Sequence, residues 1–189
     1  MKKNKCIFLD RDGTINVYKC LLHNKDELVL EEKAEEAIKM INDSEYLCIV
    51  VSNQPVIARN LCTLDEVWGI NKKLEELLYK ANGAYLDDFF ICPHHPDRGY
   101  PKENKEYKIV CNCRKPKIGM IEEAARKHNI DLSKSYIVGD TTVDIMTGIN
   151  AGLKTILVKT GLSGNDEKYE VKADYVVEDL LEAIELVLL

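Results

Sequence analysis

The sequence has 189 residues, enough for one buried core but too few for two ordinary enzyme domains. Hydrophobic residues make up 46% and charged residues 31%, which excludes a disordered chain, and a net charge of −6 without a visible basic patch argues against a nucleic-acid partner. Because the sequence shows neither a membrane-length apolar run nor an export signal, and its seven cysteines are an odd number, we expect a cytoplasmic protein with reduced thiols and no membrane association.

Six short runs of apolar residues predict buried β-strands. They are almost continuous in Ile, Val, Leu and Phe rather than alternating with polar residues, as expected for a sheet covered on both faces. The predicted strands are residues 6–9, 47–51, 89–91, 136–138, 155–158 and 175–177.

Helical patterns lie between these strands. The clearest helix begins at Thr63, where Glu66 three residues later completes a capping box, and it ends at Asn82 and Gly83. Further helices are predicted at residues 32–41, 118–127, 142–150 and 178–188. The alternation predicts an α/β fold with a doubly wound, mostly parallel sheet, and no linker or repeat divides residues 1–189 into more than one domain.

Four polar residues follow predicted strands directly. They are Asp10, Ser52, Cys92 and Asp140. Because open α/β sheets build their sites at the carboxyl ends of strands, we expect these side chains to share one edge of the sheet.

Carboxylates are concentrated at two of these strand ends. Asp10 and Asp12 follow the first strand, and Asp140 with Asp144 follows the fourth. Crowded carboxylates require a cation, and oxygen ligands favour Mg²⁺. A solvated acidic loop or a helix cap is the alternative, although a cap uses only one aspartate.

Residues 92–117 have no periodicity and contain four of the five prolines, which predicts a long structured loop. Two ligand pairs lie in it: Cys92 with His94, and Cys111 with Cys113. Each pair is spaced to bind one ion, and three thiolates with one imidazole form a closed, structural zinc set. Chance cysteines or a disulfide are the alternatives, and His95 is a possible substitute ligand. Such a Zn²⁺ would fix the position of Lys115, which follows the last ligand closely.

Several of these residues together resemble the four-motif signature of the haloacid dehalogenase (HAD) superfamily of phosphohydrolases. The residues that carry the resemblance are Asp10, Asp12, Gly13, Thr14, Ser52, Lys115, Gly139, Asp140 and Asp144. The resemblance covers essentially the whole chain, with the motifs in the superfamily's order.

The resemblance implies a catalytic role for each motif residue. Asp10 would be the nucleophile that forms a phosphoaspartate, and Asp12 would protonate the leaving group and then activate water. Ser52 and Lys115 would hold the phosphoryl oxygens. Mg²⁺ would be bound by Asp10, the backbone carbonyl of Asp12 and Asp140.

The loop motifs narrow the resemblance to the D-glycero-D-manno-heptose 1,7-bisphosphate 7-phosphatases and the related histidinol-phosphate phosphatases. The motifs are residues 10–16, 52–54, 57–59, 92–96, 111–116 and 119–120. This resemblance implies an enzyme without a large cap domain that acts on a small phosphorylated sugar, and we expect a monomer. The implied substrate contacts are Arg11, Tyr18, Asn53, Gln54, Arg59 and Arg114.

The sequence departs from that family at three places that face the sugar. Thr141 stands where the family commonly has lysine, and residues 18–21 and 55–56 also differ. Histidinol-phosphate phosphatase, a nucleic-acid 3′-phosphatase and a non-catalytic phosphosugar-binding module are the alternatives. An intact Asp10 and Asp12 pair argues against the last, since a pure binding module does not need the second aspartate.

Overall fold

A six-stranded parallel sheet forms the centre of the computed structural model, which describes residues 3–97, 99 and 102–189. The strand order is β3-β2-β1-β4-β5-β6, so the chain reverses its direction of winding between β1 and β4. The strands are β1 Lys5–Leu9, β2 Tyr46–Asn53, β3 Asp88–Cys92, β4 Tyr136–Gly139, β5 Lys154–Val158 and β6 Tyr175–Val177.

The continuous apolar character of the strands has a direct structural cause. On β1, Ile7 and Leu9 contribute to the core on one face of the sheet, whereas Cys6 and Phe8 contribute to the core on the other. All four side chains are fully buried. A strand covered on both faces can have no polar side.

In the part of the chain that the structure describes, five α-helices pack around the sheet. They are α1 Ala34–Asn42, α2 Leu64–Asn82, α3 Gly119–His128, α4 Thr142–Ala151 and α5 Leu180–Leu188. Helices α1, α2 and α5 supply apolar residues to the core that contains Ile7 and Leu9, and α3 packs against the opposite face. Within the described ranges, no helix is long and apolar enough to span a bilayer.

The helix boundaries follow local chemistry. The capping box of Thr63 and Glu66 is present at the start of α2, and Gly83 ends that helix with φ of 76°. Helix α1 begins two residues later than predicted because Lys33 has φ of 62°, and α5 begins later because Asp179 accepts a hydrogen bond from the backbone N–H of Glu182.

The predicted α/β fold with a parallel, doubly wound sheet is confirmed. Strands β2 and β3 are longer than predicted, since Ser52 and Asn53 still pair with β3 and Cys92 is the last residue of β3. Ser52 and Cys92 therefore lie within their strands rather than after them. Among the described residues of the loop 92–117, Lys105–Tyr107 form a short 3₁₀ turn where the sequence predicted none.

An ion cluster ties the edge strand to its helix. Asp88, at the start of β3, lies 2.7 Å from Lys127 Nζ and 2.6 Å from His128 Nε2, both in the last turn of α3.

Candidate active site

A cavity of about 250 Å³ opens at the carboxyl edge of the sheet, above β1, β2 and β4. Its position is the point where the strand order reverses, which is where open α/β sheets bind ligands. Of the residues singled out in the sequence, those that line the cavity are Asp10, Asp12, Tyr18, Lys19, Leu21, Ser52, Asn53, Gln54, Pro55, Val56, Arg114, Lys115, Asp140 and Thr141.

Three carboxylates come together at this edge. One oxygen each of Asp10, Asp140 and Asp144 lies within 4.8 Å of the other two. Burial raises the pKa of Asp10 to about 6, opposed by the charge of Lys115 and reinforced by Asp144. Burial together with the charges of Asp10 and Asp144 raises the pKa of Asp140 to about 8. Raised pKa values of this kind indicate a place where a further cation would stabilise the carboxylates.

The donor atoms suit a hard divalent ion. Oδ1 of Asp140 is buried and accepts no hydrogen bond from any residue that the structure describes. Its Oδ2 accepts the backbone N–H of Leu162 at 2.7 Å, which orients the carboxylate. Carboxylate oxygens are preferred ligands of Mg²⁺. The residues at this point therefore fit a magnesium ion beside Asp10 and Asp140.

Lys115 is the buried cation of the site. Its Nζ lies 3.0 Å from Asp10 Oδ1 and 2.5 Å from Asp144 Oδ1, and it donates to the backbone carbonyl of Val51 at 2.9 Å. Burial acts to lower the pKa of Lys115, but the two aspartates outweigh it and raise that pKa above its ordinary value. The lysine therefore stays charged, with its ammonium group beside the carboxylate of Asp10.

Asp144 acts through this lysine rather than as a further open ligand. Its second oxygen accepts hydrogen bonds from the backbone N–H and the hydroxyl of Thr141, which also caps α4. Both carboxylate oxygens of Asp144 are therefore already engaged.

Asp12 is held by three side chains. Arg11 donates to both carboxylate oxygens at 3.2 and 2.8 Å, Asn16 donates to Oδ1 at 3.0 Å, and Gln54 donates to Oδ2 at 2.9 Å. Burial acts to raise the pKa of Asp12, but the charge of Arg11 and these hydrogen bonds bring it below the ordinary value. The carboxylate still reaches the cavity, since 19% of its side chain is exposed.

The end of β2 supplies polar groups on the opposite wall. Gln54 Nε2 also donates to Ser52 Oγ at 3.0 Å, which links the serine to Asp12. Asn53 forms two hydrogen bonds with the backbone of Lys115: its Oδ1 accepts the N–H at 3.0 Å, and its Nδ2 donates to the carbonyl at 3.2 Å. The amide of Asn53 thus serves to hold the lysine in place.

Two of the predicted substrate contacts lie outside the cavity lining. Arg11 is fully buried, and its guanidinium group contacts Asp12 and Asn71. It is a structural partner of Asp12 and does not reach the cavity, because the turn after β1 directs its side chain under the helix α2. Arg59 is partly buried and, among the described residues, is not part of the cavity wall. Tyr18 and Arg114 line the cavity.

A loop that the sequence reasoning did not single out completes the site. After β5, the backbone N–H of Gly164 donates to the Asp140 carbonyl at 2.7 Å, and the Thr160 hydroxyl donates to the Gly13 carbonyl at 2.7 Å. An added Cβ at Gly161 or Gly13 would lie 2.2 or 2.3 Å from Asp140 Oδ2, and both residues have positive φ. The sequence signal that could have indicated this loop is the pair of closely spaced glycines, Gly161 and Gly164, after the fifth predicted strand.

The four predicted zinc ligands meet in the loop of residues 92–117. The three sulfurs of Cys92, Cys111 and Cys113 lie 3.1, 3.3 and 3.5 Å apart, and His94 Nδ1 lies 3.3 Å from Cys113 Sγ and 3.7 Å from Cys92 Sγ. A tetrahedral zinc ion with Zn–S bonds of about 2.3 Å holds sulfurs about 3.8 Å apart. The cluster is slightly tighter than that arrangement and otherwise fits it.

The cluster is joined directly to the active site. The backbone N–H of Arg114 lies 3.4 Å from Cys111 Sγ, and the Arg114 guanidinium donates to the carbonyl of His94 at 3.2 Å. The next residue is Lys115. The position of the catalytic-site lysine is therefore set by the cluster on one side and by Asn53 on the other.

Comparison with known proteins assigns the family. Residues 112–183 match the HAD-hydrolase-like family model. The chain is 37% identical over 181 residues to the D-glycero-beta-D-manno-heptose-1,7-bisphosphate 7-phosphatase of Haemophilus ducreyi, covering 95% of this chain and 96% of that protein. It is 39% identical over 160 residues to the D-glycero-alpha-D-manno-heptose-1,7-bisphosphate 7-phosphatase of Photorhabdus laumondii, covering 84% of this chain and 85% of that protein.

A solved structure agrees. D,D-heptose 1,7-bisphosphate phosphatase from B. bronchiseptica, complexed with magnesium and phosphate, matches with a TM-score of 0.83 and 30% identity, covering 97% of this chain and 98% of that chain. Similarity of this degree along nearly the full length of both proteins confirms the predicted resemblance: the chain belongs to the heptose-1,7-bisphosphate 7-phosphatase family of the haloacid dehalogenase superfamily.

Proposed function

We propose that the chain hydrolyses the 7-phosphate of D-glycero-D-manno-heptose 1,7-bisphosphate through a phosphoaspartate on Asp10. The observation that carries the proposal is the ammonium group of Lys115, 3.0 Å from Asp10 Oδ1, at a cavity that Asp12, Ser52 and Asp140 also line. A carboxylate can attack an anionic phosphate ester only where cations offset the negative charge. The proposed substrate is taken from the names of relatives that match along nearly the whole chain.

The chemistry has two steps. An oxygen of Asp10 attacks phosphorus while the bond from phosphorus to the sugar oxygen breaks. Asp12, which takes up a proton when the anionic phosphate group binds beside it, gives that proton to the sugar oxygen. A water molecule then attacks the phosphoaspartate, Asp12 takes the proton of that water, and inorganic phosphate leaves. The Ser52 hydroxyl and the Lys115 ammonium hold the phosphoryl oxygens in both steps.

The metal proposed for this site is Mg²⁺, held by Asp10, Asp140 and the backbone carbonyl of Asp12. When bound, it supplies positive charge that offsets the carboxylates and the phosphoryl oxygens. Its support is the buried Oδ1 of Asp140 and the raised pKa values of both aspartates.

Charge around the cavity supports a substrate with a second phosphate. A neighbouring cavity of about 390 Å³ shares Arg114 and Lys115 with the first and is also lined by Lys117 and Lys168, against one carboxylate, Asp97. These cations suit a second anionic group and disfavour the ammonium group of histidinol phosphate.

The substrate is tested by measuring phosphate release from a panel of phosphate esters. The panel contains both anomers of the heptose 1,7-bisphosphate, because the names of the relatives include both, together with histidinol phosphate and hexose phosphates. We expect the highest kcat/KM for a heptose bisphosphate. A higher value for histidinol phosphate or for a hexose monophosphate would refute the proposed substrate.

The covalent step is tested with Asp10→Asn, which preserves shape and removes the nucleophile. We expect kcat to fall by at least about a thousandfold. Asp65→Asn is the matched control, because Asp65 is exposed and lies outside the cavity. Borohydride reduction of the acid-quenched wild-type enzyme should convert residue 10 to homoserine. Phosphate release by Asp10→Asn at the wild-type rate would exclude the phosphoaspartate.

We further propose a structural Zn²⁺ bound by Cys92, His94, Cys111 and Cys113. Three sulfurs and one ring nitrogen in this arrangement leave no open position for a substrate, so the ion would act by holding the loop in place.

The chain is also proposed to be a single domain and a monomer, with residues 92–117 as an inserted loop. The two main cores lie on the two faces of one sheet, which supports one folding unit. Light scattering should give one mass of 21.5 kDa, and urea should give one unfolding transition. A doubled mass or two transitions would contradict these assignments.

A further inference from the structure

Helix α2 carries one polar residue on its buried face. Its buried residues are Val67, Ile70, Asn71, Leu74 and Leu78. A buried amide is costly unless its polar atoms are hydrogen-bonded, and Asn71 is only 1% exposed. Its Oδ1 accepts a hydrogen bond from Arg11 Nη1 at 2.9 Å, and its Nδ2 has no partner in the part of the chain that the structure describes. Within the described part of the chain, the hydrogen bond with Arg11 is therefore the one that the Asn71 side chain forms.

Arg11 is in turn fully buried, and its guanidinium group makes contact in two directions. Nη1 donates to Asn71, and Nη2 donates to both oxygens of the Asp12 carboxylate at 3.2 and 2.8 Å. A buried guanidinium requires a paired charge, which Asp12 supplies. Because both terminal nitrogens are engaged, the planar group cannot rotate without breaking a hydrogen bond.

The other two partners of Asp12 come from segments next to the strand ends: Gln54 lines the cavity, and Asn16 is fully buried. Asn16 belongs to the turn after β1, and Gln54 follows β2 directly. Arg11 is different because its far end is fixed to a helix in the apolar core. It connects a rigid part of the fold to the one carboxylate that must deliver a proton to the leaving oxygen.

We propose that Arg11 and Asn71 are positioning residues that hold the Asp12 carboxylate in the orientation from which it transfers its proton. The inference rests on the proposed function, in which Asp12 protonates the leaving group. Neither residue touches the substrate. Their removal should therefore affect the step that needs a proton and spare steps that do not.

The nature of the leaving group separates these steps. A sugar alkoxide is strongly basic and needs a proton as the phosphorus–oxygen bond breaks. p-Nitrophenolate is weakly basic and leaves without one. The value of kcat/KM reports only the steps up to phosphate transfer to Asp10, so it leaves out the later hydrolysis in which Asp12 accepts a proton from water. In kcat/KM, a purely structural loss slows both substrates equally, whereas a misplaced Asp12 slows the alkyl phosphate selectively.

The experiment compares heptose bisphosphate with p-nitrophenyl phosphate for Asn71→Leu, which preserves the apolar packing of α2. We expect kcat/KM for the sugar to fall by about tenfold or more, since general acid catalysis contributes about 10²–10⁴-fold. The kcat/KM for p-nitrophenyl phosphate should stay within about twofold. Leu74→Ala is the control, because it loosens the same helix face without touching Arg11. Arg11→Lys, which keeps the charge but cannot bridge Asn71 and Asp12, should reproduce the selective loss.

Rates are normalised to the folded fraction measured by circular dichroism. Equal losses for both substrates, or no loss for either, in Asn71→Leu and Arg11→Lys would overturn the inference. An active wild type in the same experiment would still support the proposed phosphatase function. A wild type that releases phosphate from neither substrate would overturn the proposed function and the inference with it.

Discussion

Replacing Lys115 with methionine tests how the charges of the site are balanced. The side chain is 4% exposed, and its ammonium group contacts the buried carboxylates of Asp10 and Asp144. Methionine fills a similar volume but leaves both carboxylates without their cation. Breaking a buried ion pair from one side costs about 3–5 kcal/mol, because the remaining charge stays desolvated. We expect the free energy of unfolding at neutral pH to fall by about that amount, a large part of the total of about 5–15 kcal/mol for a domain of this kind.

A second substitution should reverse much of this loss. In Lys115→Met/Asp144→Asn one unpaired charge is removed, and the asparagine oxygen can still accept hydrogen bonds from Thr141 at the start of α4. We expect the double variant to recover at least about 1–2 kcal/mol relative to the single variant. Both variants should lose at least about a hundredfold in kcat, since neither retains the cation beside Asp10.

The assay is urea unfolding followed by circular dichroism, in magnesium-free buffer without a chelator so that a metal in the Cys–His cluster is retained. Lys127→Met is the control, because Lys127 is a largely exposed lysine whose ion pair with Asp88 is on the surface. A Lys115→Met protein as stable as the wild type, or a double variant less stable than the single one, would show that the buried charges are not balanced in this way.

Three further changes should have separable effects. Gly161→Ala brings a Cβ against Asp140 and should raise the magnesium concentration for half-maximal activity by about 10- to 100-fold. The control is Gly152→Ala, at a residue that also has positive φ but has open space around it. It should cost only about 1 kcal/mol of stability. Cys113→Ser should remove the zinc measured by elemental analysis, whereas Cys20→Ser, at an exposed cysteine, should keep about one zinc per chain. Burial acts to raise the pKa of Asp88, but hydrogen bonds from its lysine and histidine partners in α3 bring it below the ordinary value, so Asp88→Asn should cost about 1 kcal/mol at pH 7.

The pH dependence of the last change has a fixed sign. A carboxyl group whose pKa is lowered by folding stabilises the protein above its unfolded pKa, and that stability is lost as the pH falls through the folded pKa. The difference between wild type and Asp88→Asn should therefore shrink below about pH 4. A difference that grows in acid would contradict this reasoning. Equal magnesium dependence of Gly161→Ala and Gly152→Ala would contradict the prediction for Gly161. Full zinc content in Cys113→Ser would contradict the prediction for the zinc site.

Much of the fold could be predicted because its determinants are local. The buried strands are continuous apolar runs, and the capping box of Thr63 and Glu66 marks the start of α2 within four residues. The spacing of Asp10 and Asp12 after a strand, and of Asp140 after another, identified the site because parallel strands bring their carboxyl ends together.

The supporting groups could not be predicted, for physical reasons. The donor to Asp140 is the backbone N–H of Leu162, which every residue except proline possesses, so its residue type carries no signal. The family resemblance implied that Arg11 contacts the substrate, and only the three-dimensional contact with Asn71 shows why it is buried here. Asn71 interrupts the apolar face of α2, and that interruption was the one available sign.

The two hydrogen bonds between the Asn53 amide and the backbone of Lys115 have a consequence for how the family can vary. They attach the C-terminal end of the loop, at Lys115, to strand β2 of the sheet. Cys92 and His94 hold its N-terminal end. The segment between His94 and Cys111 is then held at both ends, so its length and composition can change without displacing Lys115. New substrate preferences could therefore evolve there while the phosphate chemistry is left intact.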